Sequence, residues 1–264
     1  MGQTDSRTVK SYYDEHVVGK LRAFLDVNAR VEAAWQTLVQ FAPPGPTRIC
    51  EVGCGIGDIS WRMSRRFRNA SVTGLDISPR SIEIASRLFG SDRVSFAQVD
   101  DLRGHIPTST DLVVLMDVYE HIGPERRPAV WEAVAAGLGE TGRVFLAFPS
   151  PRHQAFLRET GAEIQPVDED LGLEDMRDMA RGTGTELVLY KELDIWNSGD
   201  YIHVGLSRRP DWGESGMLGI PSFRGSVREA LRTATHTGRL GRWRRRNLLE
   251  KRLGGEDARR ILGD

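Results

Sequence analysis

The stretch Ile49-Cys50-Glu51-Val52-Gly53-Cys54-Gly55-Ile56-Gly57-Asp58 constrains this chain more than any other. An apolar run feeds a turn with glycine at every second position, and an amphipathic run follows. Gly53, Gly55 and Gly57 let the backbone bend tightly and bring a ligand against bare amides at a helix N-terminus. Strand, glycine turn and helix in that order belong to open α/β sheets, which bind ligands at the carboxyl ends of their strands. A dinucleotide fingerprint would carry its third glycine at 58, where this chain has Asp58, and it would not place Glu51 inside the motif. A carboxylate there repels a pyrophosphate and suits a ligand with an ammonium group.

The rest of the chain agrees with such a sheet. Apolar runs at Arg48–Val52, Ser71–Asp76, Val94–Val99, Asp111–Met116 and Arg143–Phe148 read as strands. Amphipathic runs at Asp58–Phe67, Ser78–Phe89 and Pro124–Leu138 lie between them, the second opening with Ser78 as cap and Pro79 at the first helical position. Alternation at this spacing means right-handed crossovers and a parallel sheet. A helix over 171–182 precedes Thr185–Leu193 and Asp200–Ser207, which Trp196-Asn197-Ser198-Gly199 would join as an antiparallel hairpin. Residues 5–41 are helical by period, with a break at Asp26 or Asn28, and Pro43-Pro44-Gly45-Pro46 ends them. The divisions expected are an N-terminal helical lid over 1–44, a core over 45–208 with a cap insertion at about 150–183, and a basic extension over 209–264. That extension is read as an appended helical or loosely ordered segment outside the core, since residues 224–264 hold 12 Arg or Lys against 5 Asp or Glu.

Acids stand at successive strand ends. Asp76 closes the second strand some 20 residues after the glycine turn, where a carboxylate can accept both hydroxyls of a ribose. Asp100 and Asp101 follow the third strand and Asp117 the fourth. Each alone is a common turn former; the set together with the glycine turn is more specific. Glu51-Val52-Gly53-Cys54-Gly55-Ile56-Gly57, with these acids and Asp117-Val118-Tyr119-Glu120-His121-Ile122, resembles the class I S-adenosylmethionine-dependent methyltransferases of small-molecule type. The resemblance spans about residues 45–207. It implies a Rossmann-like seven-stranded, mostly parallel sheet of order 3-2-1-4-5-7-6, strand 7 antiparallel, with helices on both faces. It also implies S-adenosyl-L-methionine as cofactor and S-adenosyl-L-homocysteine as product. By that likeness Glu51, Gly53, Cys54, Gly55 and Gly57 face the methionine moiety and Asp76, with Ile77, holds the ribose. Asp100 meets the adenine amino group, Asp101 and Leu102 flank it, and Asp117 borders the cofactor. Tyr12-Tyr13 resembles the leading aromatics of such enzymes, so Tyr13 covers the cofactor or, alternatively, simply packs.

Methyl transfer needs an in-line nucleophile and often a base. His121, His153 and Asp117 are the catalytic candidates: His121 after the fourth strand, where it serves as base or instead holds a backbone carbonyl, and His153 in the loop after the fifth. Tyr119 is a further pocket candidate, Arg30 is better read as a surface residue, and His203 lies mid-strand, where packing is the better reading. O-methylation of a sugar or secondary metabolite is expected; N- or C-methylation, or a cofactor-binding protein without methyl transfer, are the alternatives. With 36 basic and 37 acidic residues the whole molecule has no field steering it to nucleic acid or membrane. No catalytic Asn/Asp-Pro-Pro-Tyr motif follows the fourth strand, so no nucleic-acid partner is expected. Cys50 and Cys54 lack CxxC spacing and a His/Cys cluster, so neither a disulfide nor a metal site is expected, and a cytoplasmic setting fits. No apolar run approaches the roughly 18 residues of a membrane span. Homo-oligomerisation through the N-terminal helices or the C-terminal extension is conceivable on the same reading.

Overall fold

The computed structural model describes residues 16–161, 167–208 and 234–254. Two helices lead, α1 (Val17–Asp26) and α2 (Ala29–Phe41); the Asn28 side chain caps α2 by accepting from the Arg30 amide at 3.0 Å. The core alternates β1 (Arg48–Val52), α3 (Asp58–Arg66), β2 (Ser71–Asp76), α4 (Pro79–Phe89), β3 (Val94–Gln98) and β4 (Thr110–Met116). A 3-10 turn over Tyr119–His121 leads to α5 (Arg127–Gly137), β5 (Leu138–Pro149), α6 (Pro151–Thr160), α7 (Leu173–Thr183), β6 (Glu186–Leu193) and β7 (Tyr201–Ser207), and α8 (Arg239–Leu253) closes the described chain. The seven strands lie in the order β3-β2-β1-β4-β5-β7-β6. β7 runs antiparallel to β5 and β6, and the remaining neighbours are parallel. The sheet is the one the resemblance implied.

Period-two alternation splits the core into two layers. Cys50, Val52, Val113 and Leu115 face α5 and α7, whereas Ile49, Leu112 and Val114 face α2 and α3. Burial on both faces explains why β4 reads as an unbroken apolar run. A third cluster joins Leu21, Phe24 and Leu25 of α1 to Leu88 and Phe89 of α4 and to Leu249 and Leu253 of α8.

Three elements differ from the sequence expectation. β5 begins at Leu138 rather than Arg143, extended through an irregularity opposite Thr110 and Leu112. His153 is not in a loop: it sits in the first turn of α6, whose cap Ser150 accepts from the His153 amide at 3.2 Å. The basic extension is not merely appended, because α8 buries Leu249 and Leu253 in the third cluster and Arg245 donates to the Leu25 carbonyl at 2.9 Å. Among the described residues no helix is long and apolar enough to cross a membrane.

His203 shows how this packing responds to acid. It is fully buried on β7, its Nδ1 is 2.8 Å from Thr37 Oγ1 and its ring lies against Phe145 and Tyr201. Burial pushes its imidazole from 6.5 down to about 4. The unfolded chain therefore binds the proton first, so stability is full above pH 6.5 and falls as pH drops toward 4, by about 3 kcal/mol from this residue. Urea unfolding at pH 7 and pH 4.5 should show His203→Gln losing much less stability over that interval than the wild type; equal losses would remove His203 from the account.

Candidate functional site

The glycine turn is strapped to the end of β2. The Gly53 and Cys54 amides donate to the Leu75 carbonyl at 2.7 and 3.0 Å, and the Gly55 amide donates to Asp76 Oδ2 at 2.7 Å. Asp76 Oδ1 accepts from the Ser78 amide at 2.8 Å, so one buried carboxylate ties the turn to the start of α4. Gly53 and Gly57 adopt φ of +70° and +83°. A Cβ on Gly53 would overlap Val118 Cγ2, and one on Gly57 would lie 2.6 Å from Phe96 Cζ. Bare backbone is what leaves room at the carboxyl end of β1.

Two cavities open on this turn. One, of about 390 Å³, runs over the ends of β2, β3 and β4 and is lined by Gly53, Asp76, Ile77, Asp100, Asp101, Leu102, Asp117 and His121. The other, of about 220 Å³, lies beneath α1 and α2 and is lined by Glu51, Gly53, Cys54, Gly55, Asp58 and Asp117, with Arg30 and Glu32 from α2. Gly53, Asp117 and Lys20 belong to both. The first is long and rimmed by acids, as a nucleoside requires; the second is compact and holds charges of both signs.

Burial governs the acids here. It pushes the Glu51 carboxyl up to about 8, against the lowering effect of the Ser60 hydroxyl, which donates to Glu51 Oε2. Burial also raises Asp58 and Asp117 above the usual carboxylate range, with Arg62 and Arg30 respectively opposing it. Glu32 is the exception: hydrogen bonds from His236 and the Arg62 fork outweigh its burial and hold it at about 2. Asp117 follows β4 with a left-handed φ of +54°, a strained conformation for a residue other than glycine. Arg30 Nε lies 3.1 Å from Asp117 Oδ2, while Oδ1 is buried without a hydrogen-bond partner among the described residues. A buried oxygen lacking a donor, at the junction of two cavities, fits a ligand that brings one.

His121 Nδ1 lies 2.7 Å from the Val167 carbonyl and 3.4 Å from Asp168 Oδ1. A carbonyl only accepts, so Nδ1 carries the proton and Nε2 the lone pair. Burial lowers the imidazole's pKa, which keeps the ring neutral at pH 7. The anchoring role and a role as base are thus both compatible with one tautomer.

Of the candidates named from sequence, Glu51, Gly53, Cys54, Gly55, Asp76, Ile77, Asp100, Asp101, Leu102, Asp117 and His121 line one or both cavities. Gly57 does not; it packs against Phe96 and Ala85. Asp101 is exposed and paired with Arg103, whose Nε donates at 2.9 Å. His153 lies apart from both cavities, its ring 6.1 Å from that of Trp196. The Tyr119 hydroxyl accepts from Trp131 Nε1 at 2.8 Å, and its ring is core. Tyr12 and Tyr13 lie outside the described residues. Arg30, read as a surface residue, instead pairs with Asp117. Lys20 and His236 were missed: Lys20 is one of four lysines in the chain, and nothing local marks His236, which reaches the second cavity from the C-terminal segment.

Comparison with known proteins points the same way. Residues 50–144 match the family described as "Methyltransferase domain". The chain is 28% identical over 248 residues to a trans-aconitate 2-methyltransferase of Streptomyces avermitilis, covering 85% of this chain and 88% of that protein. It is 33% identical over 125 residues to a ubiquinone biosynthesis O-methyltransferase of Xanthomonas axonopodis pv. citri, covering 46% of this chain and 51% of that protein. Among solved structures, a SAM-dependent methyltransferase from Anabaena variabilis superposes with a TM-score of 0.60 at 16% identity, covering 79% of this chain and 96% of that one, which is a likeness of fold. The sheet order and the matched domain agree: the chain carries a methyltransferase domain, built on the sheet order of the class I S-adenosylmethionine-dependent methyltransferases.

Proposed function

We propose that the enzyme methylates an oxygen of a small molecule, a sugar or secondary metabolite, held in the cavity beneath α1 and α2. The observation that carries this reading is Asp117, whose unpartnered Oδ1 stands where the two cavities meet. The acid-rimmed cavity takes the nucleoside: Asp76 accepts the ribose hydroxyls, Asp100 the adenine amino group, and Ile77 and Leu102 border the ring. Glu51 and the glycine turn face the methionine end, and Tyr13 closes over it from the lid. The two relatives, both methyltransferases and one an O-methyltransferase of ubiquinone biosynthesis, support a small acceptor.

When bound by Asp76, Asp100 and the glycine turn, S-adenosylmethionine would supply an electrophilic methyl carbon with a neutral sulfide as its leaving group. The protein's own part is positioning and proton transfer. Asp117 and Arg30 orient the acceptor so that its reacting oxygen reaches the junction of the two cavities, and His121, which lines the nucleoside cavity beside Asp117, takes the proton there on Nε2. Unpaired Cys50 and Cys54 suit the cytoplasm we infer as its setting.

Calorimetric titration with S-adenosylmethionine and, separately, NAD tests the pocket: micromolar-range binding of the first and none of the second is expected, and no binding of the first would sink the reading. The same titration reports on Glu51. With its pKa near 8, Glu51 is protonated at pH 7, and an ammonium group against it favours the carboxylate. Binding at pH 7 should therefore release up to about one proton, seen as heat that differs between phosphate and Tris buffers. Glu51→Gln should abolish that difference, and a wild-type protein without it has no ammonium at Glu51.

His121→Ala should lower turnover about a hundredfold with little change in cofactor affinity, whereas His153→Ala should leave turnover near wild type. Equal activity in both variants would leave proximity as the main catalytic contribution.

A further inference from the structure

A third concavity, of about 610 Å³, runs between α3 and α8 on the outer side of the lid. Its walls carry Arg62, Arg65, Arg66, Arg68, Arg244 and Arg245, and no carboxylate lines it among the described residues. Two of these are committed elsewhere, Arg62 to Glu32 and Arg245 to the His236 and Leu25 carbonyls. Arg65, Arg66, Arg68 and Arg244 face no carboxylate among the described residues, and Arg66 Nε is buried without a hydrogen-bond partner.

Elsewhere on the surface several arginines pair with acids: Arg103 with Asp101, Arg158 with Asp170 and Arg177 with Glu174. On α8 itself Arg242 pairs with Asp26 and Arg246 with Glu250, while Arg244 between them turns to the groove. The indoles of the groove hold guanidiniums in place. Arg62 lies 4.4 Å over Trp35 and Arg65 5.3 Å over Trp61, which is itself stacked on Phe89 at 5.3 Å. Like charges gathered and oriented without counter-charges among the described residues are arranged for an anion with several oxygens, which guanidinium forks bind bidentately.

We infer that this groove binds the phosphate groups of a phosphorylated acceptor. It shares Arg62 and His236 with the cavity beneath the lid, and neither residue lines the nucleoside cavity. A ligand with a pyrophosphate in the groove therefore presents the remainder of its body toward Asp117, on the acceptor's side. The inference rests on the proposed acceptor cavity but is tested separately from it.

The test is calorimetric titration of the full chain with inorganic pyrophosphate, with citrate and with a single-stranded RNA, each in the presence and absence of S-adenosylhomocysteine. One equivalent of pyrophosphate should bind, with unchanged affinity when S-adenosylhomocysteine is present. Arg65→Gln/Arg66→Gln/Arg244→Gln should weaken it about tenfold or more and leave S-adenosylhomocysteine binding as in the wild type. That second ligand also shows that the variant is folded. Competition between pyrophosphate and S-adenosylhomocysteine would place the anion in the cofactor cavity and overturn the inference. So would citrate binding as tightly as pyrophosphate, or RNA binding that pyrophosphate does not displace. Failure of pyrophosphate alone, in protein that still binds S-adenosylhomocysteine, refutes the phosphate groove and leaves the methyltransferase reading intact.

Discussion

Gly53→Ala should nearly abolish S-adenosylmethionine binding, by a factor on the order of a hundred, and destabilise the fold by roughly 2–4 kcal/mol. Two effects add. The backbone at Gly53 has φ of +70°, a left-handed conformation that an alanine adopts only under strain. The new methyl would also overlap Val118 Cγ2 and lie 3.1 Å from Cγ1, so Val118 or the turn must move. Val118 lines the nucleoside cavity, and the Gly53 amide is one of two strapped to the Leu75 carbonyl. Either displacement damages the site. A double-mutant cycle separates the two effects: Val118→Ala in the Gly53→Ala background removes the methyls in the way but not the φ strain. Partial recovery of affinity and stability is expected from the second substitution. Full affinity in Gly53→Ala alone, measured by calorimetry, would show that the cofactor does not approach this turn.

The turn was legible because its determinants are local. Glycine at 53, 55 and 57 and an acid at the end of each following strand are set by neighbouring residues, and the β-α alternation fixes on which edge of the sheet they meet. The sheet order followed from the resemblance and from a hairpin visible in the composition of 185–207. What stayed hidden depends on contacts distant in sequence. Arg30 looks like any surface arginine until the chain brings Asp117 to within 3.1 Å of it. Leu249 and Leu253 sit among arginines, so α8 reads as solvated, yet those two leucines complete a cluster begun at Val17 and Leu21. His153 looked catalytic because a proline-rich stretch after β5 suggested a loop, while Pro151 in fact stands at the first position of a helix capped by Ser150. Asp76 was legible only by half. Its place at the end of β2 pointed to a ribose, but nothing in the spacing showed that both of its oxygens already accept backbone amides.

That double duty makes Asp76→Ala the other large effect, and it changes what the substitution measures. Removing the carboxylate leaves the Gly55 and Ser78 amides without the acceptors they have at 2.7 and 2.8 Å, in a buried setting. Each orphaned buried donor costs about 1–3 kcal/mol, so stability should fall by roughly 2–4 kcal/mol while the glycine turn loosens. S-adenosylmethionine affinity should fall by a factor on the order of a hundred, but that loss alone does not isolate the ribose contact from the loosened turn. Ligand chemistry does. Wild-type protein should prefer adenosine to 2′,3′-dideoxyadenosine by about tenfold or more, because a site built to bond hydroxyls is left unpaired by a ligand without them. Asp76→Asn keeps one acceptor oxygen and the shape of the side chain but sets an NH2 donor against the other backbone amide, so it should lose roughly 1–3 kcal/mol, less than Asp76→Ala. Its preference between the two nucleosides should shrink toward unity, since an amide nitrogen replaces one carboxylate oxygen and the charge is gone. If the preference survives in Asp76→Asn while stability drops, Asp76 is a strap for the turn and the ribose is held elsewhere. If that stability loss is accompanied by collapse of the preference, the same carboxylate shapes the turn through its amides and reads the ribose through its remaining lone pairs.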